Sequence, residues 1–512
     1  MTPGRLEKDA GMARTDGRTS TGNEGLDVIL RGGLVPNRLY LLEGSPGSGK
    51  TTLALQFLLD GAARGEPGLY VTLSETDEEL RGVAASHGWS LDAISIFELA
   101  AAEEALGAER QQSILHPWEN ELGGTIQLIK SEVQRIKPKR VVFDSLSEMR
   151  LLAQDPLRYR RQVLALKQFF APLDVTVFIV DDLTGEEVGQ RDAHLHSLCH
   201  GVFTLQRLTL EFGAARRRLE VQKLRGVDFV GGFHDFVIRK GGLEVYPRLI
   251  AAEHDEPFVG EPVKSGVPEL DDLLGGGPRR GTTTLMSGPA GAGKTTIALQ
   301  YAYAACQRGE NCTVYEFDER IGTMLSRAKA MGLDLDRHMA EGRLEIQQIH
   351  PAEISPGEFA WRVRREVETR ESRLVVIDSL NGYMAAMPQE QQLVLQVHEL
   401  LSYLNQRGVT TLLINPQTGL VGSMATGSIN ISYVSDAVIL IRFFEAEGRI
   451  RKAISILKNR SGQHEDAIRE LRIDSRGVRI GEPLAEFHGV LTGTPRYVGS
   501  HAPLMEDRSN DD

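Results

Sequence analysis

GSPGSGKT at residues 44–51 recurs as GPAGAGKT at residues 288–295, and both stretches fit G-x-x-x-x-G-K-[ST], the pattern of a loop that cradles phosphate. Gly44, Gly47 and Gly49, with Ser45, Pro46 and Ser48 between them, lead into Lys50, Thr51 and Thr52. Gly288, Gly291 and Gly293, with Pro289, Ala290 and Ala292 between them, lead into Lys294, Thr295 and Thr296. Glycine is needed where backbone N–H groups must converge on phosphate oxygens in conformations that a Cβ obstructs, just where a helix begins and its dipole favours an anion. The two stretches are therefore expected to bind ATP. Lys50 and Lys294 would bring positive charge to the terminal phosphates, and Thr51 and Thr295 a hydroxyl to the Mg²⁺ that bridges them.

The flanks agree with this reading twice over. Apolar LYLL (39–42) and TLM (284–286) run into the loops as strands, and TTLALQFLL and TTIALQYAY leave them with helical spacing. One spacing aligns residues 21–76 with 265–320 without a gap. Over residues 44–56 and 288–300 nine of thirteen positions are identical, so the chain is a duplication. Each half continues in the same order. A second strand (LYVTL, 69–73; TVYEF, 313–317) ends in acidic residues, a third ends in aspartate (VVFDS, 141–145; VVIDS, 375–379), and a fourth follows (VTVFIVDD, VTTLLINP). The first half carries extra residues around 98–121. Apolar strands alternating with helices predict an α/β fold, a mainly parallel sheet flanked by helices in each half. The predicted boundaries are a flexible tail at 1–19, a first domain at 20–250, a linker at 251–264 (AAEHDEPFVGEPVK), a second domain at 265–497 and a flexible tail at 498–512.

Composition narrows the function class. A chain of 512 residues with 41% hydrophobic and 25% charged residues is ordinary globular protein of more than one domain. A net charge of −12 argues against a broad nucleic-acid surface. Cys199, Cys306 and Cys312 are odd in number and lack metal-ligand spacing, as expected of reduced thiols. Neither a signal peptide nor a membrane span is legible, so a cytoplasmic protein without a membrane partner is expected.

Beyond the loops, the repeat singles out three sets of residues. Asp144 and Asp378 end apolar strands, where a carboxylate can hold Mg²⁺, though Asp-Ser after a strand also caps a helix well. Glu75, and the pair Asp318 and Glu319, close the second strands, where a carboxylate can orient or deprotonate the water that attacks the γ-phosphate. The alternative there is a solvated acidic loop that opens an exposed helix. Lys223 and Arg225 in KLR echo Lys458 and Arg460 in KNR, late in each domain. Cations there could reach the ATP of a neighbouring subunit, or could merely blunt an exposed strand edge.

These residues together resemble the KaiC-like family of the RecA-like ATPase superfamily, from about residue 20 to residue 495. The tandem P-loops, the acidic strand ends SET and DER, the FDS and IDS strands, the KLR and KNR triplets and the stretch INISYVSDAVILIRFFEAEGRIRKAISILKNRSGQHEDAIRELRI carry the resemblance. It implies tandem RecA-like P-loop domains, a homohexamer of two stacked rings with ATP between subunits, slow hydrolysis, and serine autokinase activity in the second ring directed at signalling. Glu75 and Glu319 match the second of the family's paired glutamates, and Ser74 and Asp318 stand where the first is expected. Ser432 and Tyr433 stand where the family has its Ser-Thr phospho-acceptor pair, so Ser432 is the acceptor implied. Two other classes fit the P-loops: a RecA-like ATPase on single-stranded DNA, for which the segments at 184–198 and 417–431 carry few cations, and an ATP-gated scaffold without turnover.

Overall fold

The computed structural model describes residues 17–99, 117–153, 155–183, 193–209, 213–385, 393–417, 434–446, 448–491 and 496–498. The chain divides into two compact units, Met1–Arg248 and Leu249–Asp512.

In the first unit the strands are β1 (Leu39–Gly44), β2 (Gly68–Thr72), β3 (Ile94–Glu98), β4 (Arg140–Asp144), β5 (Thr176–Asp182), β6 (Gly201–Leu208), β7 (Arg216–Leu224), β8 (Phe233–Arg239) and β9 (Gly242–Tyr246). They form one sheet in the order β3-β2-β4-β5-β1-β6-β7-β8-β9, parallel from β3 to β6 and antiparallel beyond. The second unit repeats this with β10 (Thr283–Gly288), β11 (Asn311–Glu316), β12 (Leu344–Gln348), β13 (Ser372–Asp378), β14 (Thr410–Pro416), β15 (Ala437–Ala446), β16 (Arg449–Asn459), β17 (Arg469–Asp474) and β18 (Gly477–Pro483), in the corresponding order. The expected α/β class is what the structure shows, two tandem RecA-like domains.

The strand sequences explain the layering. β1, β2 and β4 are buried at every position, as are β10 and all but the first residue of β11. Strands that read as unbroken apolar runs must be covered on both faces, which parallel connections through helices provide. Helices α1 (Lys50–Ala63), α2 (Asp77–Ser86), α3 (Lys294–Gln307) and α4 (Ile321–Ala330) follow the P-loops and the second strands. In α1, Leu53, Leu55, Phe57 and Leu58 are all buried, and in α3 Ile297, Leu299 and Tyr301 are. The three cysteines are free and buried. Among the described residues no helix is long and apolar enough to cross a membrane.

One buried group gives the first unit an acid sensitivity. His234 on β8 is fully buried; its Nδ1 accepts the Arg248 N–H at 2.9 Å, and its Nε2 donates to the Val230 carbonyl at 2.9 Å. Burial pushes its pKa down to about 4. The depressed value means that the neutral ring contributes stability in full above the unfolded value near 6.5, and that this is lost as pH falls towards 4. The His234→Gln variant is accordingly expected to lose less hydrogen-exchange protection at β8 than wild type between pH 6.5 and 4.5. Equal losses in both proteins would contradict this.

Candidate functional site

The P-loops sit where the chain topology leaves room for a ligand. β1 and β10 are interior strands of their sheets, and each loop leaves the carboxyl end of such a strand and enters a helix amino terminus. Gly49 and Gly293 precede α1 and α3 with φ of 109° in both cases, a left-handed conformation that a side chain resists. A Cβ on Gly49 would also lie 2.6 Å from Ile238 Cδ1.

Lys50 is 6% exposed and folds back on its loop, donating to the Gly44 and Ser45 carbonyls at 2.9 and 3.0 Å. Lys294 does the same with Gly288 and Pro289 at 2.9 and 2.8 Å. The two lysines differ in one partner. Asp182, at the end of β5 and in register with Gly44, places Oδ1 2.7 Å from Lys50 Nζ, whereas Pro416 is in register with Gly288 in the second unit. Burial lowers the pKa of Lys294.

Asp144 and Asp378 end β4 and β13, both buried. Thr295 donates its hydroxyl to Asp378 Oδ2 at 2.6 Å, and Thr51 stands at the equivalent place near Asp144. Burial raises the pKa of both carboxyls, that of Asp378 to about 6. Tyr70 also donates to Asp144 Oδ2 at 2.5 Å. A hydroxyl beside a carboxylate at the foot of the phosphate loop is a donor set of hard oxygens, which fits Mg²⁺. A buried carboxylate whose own charge is disfavoured gains from a cation next to it.

The turns after β2 and β11 carry the acidic candidates. Glu75 is half-buried and its Oε2 has no hydrogen-bond partner; burial, then the charge of Asp144, pushes its pKa to about 6. The neighbouring α2 opens with a capping box between Thr76 and Glu79, so the acidic run beyond Glu75 is a solvated helix start. In the second unit Asp318 Oδ2 accepts the Ser379 hydroxyl at 2.5 Å, and Glu319 Oε1 meets Arg327 at 2.6 Å.

Lys223 and Lys458 lie far from the loops of their own units. β7 runs antiparallel to β6, so Leu224 pairs with Gly201, which is level with Tyr40 at the start of β1. From there to Gly44 is about 13 Å of strand. Lys223 donates to the Cys199 and His196 carbonyls, Arg225 to Ser197, and Lys458 to Ser435 at 2.5 Å. Arg460 follows β16 at the same end, its N–H on the Asp436 carbonyl. Ser432 and Tyr433 lie outside the described residues.

Three residues at the sites escaped the sequence reading. Asp182 belongs to a strand end whose repeat counterpart is proline. Glu316 stands inside what reads as a strand. Arg207 on β6 comes within 3.4 Å of where a Gly47 Cβ would stand, against the crest of the first loop.

Comparison with known proteins bears on the whole arrangement. The KaiC ATPase family model matches residues 19–250 and again 263–485. The chain is 28% identical to a circadian clock oscillator protein KaiC of Parathermosynechococcus lividus, over 97% of this chain and 91% of that protein. It is 29% identical to a circadian clock protein KaiC3 of Synechocystis, over 94% of this chain and 96% of that protein. Two matched domains that carry the same loop, lysine and strand-end aspartate place the chain in the KaiC ATPase family, with the nucleotide binding which that family implies.

Proposed function

We propose that the chain is an ATP-hydrolysing signalling protein that assembles as a cytoplasmic homohexamer, with ATP and Mg²⁺ at both P-loops and serine autokinase activity in the second domain. The domains are taken as 20–250 and 265–497, joined by 251–264. The observation that carries the reading is the hydrogen bond of Thr295 to Asp378 beside Lys294, with Thr51 and Asp144 at the equivalent places beside Lys50.

In this reading Gly44 to Thr52 and Gly288 to Thr296 bind the phosphates. Thr51 with Asp144, and Thr295 with Asp378, hold Mg²⁺. When bound, the cation neutralises charge on the β- and γ-phosphates. Glu75 in the first site, and Asp318 with Glu319 in the second, orient a water and take its proton as its oxygen bonds to the γ-phosphorus. The bond from that phosphorus to the ADP oxygen breaks, giving ADP and phosphate. In autophosphorylation the Ser432 hydroxyl replaces water, its proton passing to the same carboxylates.

Subunit assembly is supported by the place of Lys223, Arg225, Lys458 and Arg460. Cations at the far end of the sheet from their own P-loop are out of reach of its nucleotide and would serve one held by another subunit. Partners are proteins rather than nucleic acid, in keeping with the net charge of −12.

Incubation with γ-labelled ATP and Mg²⁺ tests the reading. Label is expected both in free phosphate and on Ser432, with the Ser432 label lost in Lys294→Ala. Free phosphate without label on the protein would withdraw the kinase half.

A further inference from the structure

Glu316 is the last residue of β11 and the in-register partner of Asp378 on β13. In-register side chains of adjacent parallel strands leave the same face of the sheet, so a second carboxyl stands beside Asp378. It is 1% exposed and makes no ion pair among the described residues. Burial, then the charge of Asp378, pushes its pKa to about 8. Such a group is costly to bury, and its contacts indicate what it does there.

Oε1 of Glu316 accepts two successive backbone N–H groups, from Asp318 at 3.0 Å and from Glu319 at 2.7 Å, while Oε2 is buried without a partner. The strand end that carries it is fixed on both sides. The Phe317 N–H donates to the Asp378 carbonyl at 2.7 Å, and the Ile349 N–H to the Glu316 carbonyl at 2.8 Å. The turn at 317–319 is thereby tied to the sheet through one carboxyl group. The Asp318 side chain lies close against the next element: a Cβ on Gly382, in the helix Leu380–Ala385, would come 2.7 Å from Asp318 Oδ1.

The first unit shows the simpler form. Thr72, the last residue of β2, stands where Glu316 does; its hydroxyl accepts the Glu75 N–H at 3.0 Å and donates to the Glu75 carbonyl at 2.7 Å. That turn carries one carboxylate, Glu75, preceded by Ser74. The number of N–H groups held matches the number of carboxylates presented in each unit.

We propose that Glu316 is a positioning residue of the second site, whose carboxyl holds the Asp318 and Glu319 backbone so that both side chains face the γ-phosphate together. The proposal rests on the reading of Asp318 and Glu319 as the hydrolytic carboxylates. A hydroxyl can secure one of the two N–H groups, and alanine neither.

The test measures kcat and KM for ATP in the full chain carrying Lys50→Ala, so that only the second site turns over. Glu316→Ala is expected to lower kcat by about thirtyfold with KM within about twofold, because small displacements of a reacting group cost that much or more. Glu316→Gln, which keeps the Oε1 acceptor, restores kcat to within about threefold of the Lys50→Ala chain, and Glu316→Thr falls between. A Glu316→Ala chain with unchanged kcat overturns the proposal, as does a Glu316→Gln chain as slow as the alanine variant. Should the alanine variant not fold, full kcat in Glu316→Thr overturns it instead. Glu319→Gln in the same chain reports on the parent reading: turnover undiminished by that change removes the role of Glu319, and this proposal with it.

Discussion

Glu319→Gln, introduced into a chain whose first P-loop carries Lys50→Ala, is expected to lower ATP turnover about a hundredfold while ATP affinity changes less than about threefold. The amide keeps the volume of the side chain and can still bond, but it cannot take a proton from water. In the proposed reading this carboxylate takes that proton. Its backbone N–H is fixed by Glu316, and its Oε1 is held 2.6 Å from Arg327. Asp318 limits the loss, since a second carboxylate one residue away can orient the water less well. The first site has no such reserve. There Glu75→Gln, measured in a Lys294→Ala chain, removes the single carboxylate on the turn, and the remaining turnover is expected to be lower still. A steady-state phosphate-release assay on the two pairs of variants checks both statements. Turnover that survives Glu319→Gln unchanged would assign the proton to another group.

Removal of either P-loop lysine is expected to weaken ATP binding at its own site, and unequally. In the proposed reading each lysine would contribute charge-assisted hydrogen bonds to phosphate, each about 1.5–3 kcal/mol, or roughly ten- to a hundredfold in affinity. At the first site part of that is offset, because the nucleotide must draw Lys50 away from Asp182, 2.7 Å distant. At the second site Lys294 leaves only the Gly288 and Pro289 carbonyls. Lys294→Ala therefore costs more affinity than Lys50→Ala, and Asp182→Asn tightens binding at the first site alone. Calorimetric titration of the variants with a non-hydrolysable ATP analogue measures these differences. Equal losses would mean that Asp182 is no competitor for the lysine.

The duplication made much of this legible in the sequence. The two loops, their glycines and the strand-end aspartates recur because any phosphate-binding turn at the end of a buried strand needs backbone freedom, a cation and a hard-oxygen donor. Those requirements are local and identical in both halves. The same comparison passed over what the halves do not share. Asp182 is matched by Pro416 and Glu316 by Thr72, so neither stands out by recurrence, although both lie at the reacting end of the sheet. Glu316 was further hidden by its setting in TVYEF, where an apolar strand reads through it. A carboxyl buried for its backbone hydrogen bonds leaves no sequence period. The far-end placement of Lys223 and Lys458 needed the antiparallel return of β7 and β16, which strand spacing alone did not give.

Each half of the chain is expected to hold its own nucleotide. Equilibrium dialysis of labelled ATP analogue against the full chain with Mg²⁺ tests it most directly. Two molecules bound per chain in the unaltered protein, with one site weakened in Lys50→Ala, the other in Lys294→Ala and both in the double variant, is the predicted result. One molecule per chain in the unaltered protein, unaffected by one of the two lysine changes, would contradict it.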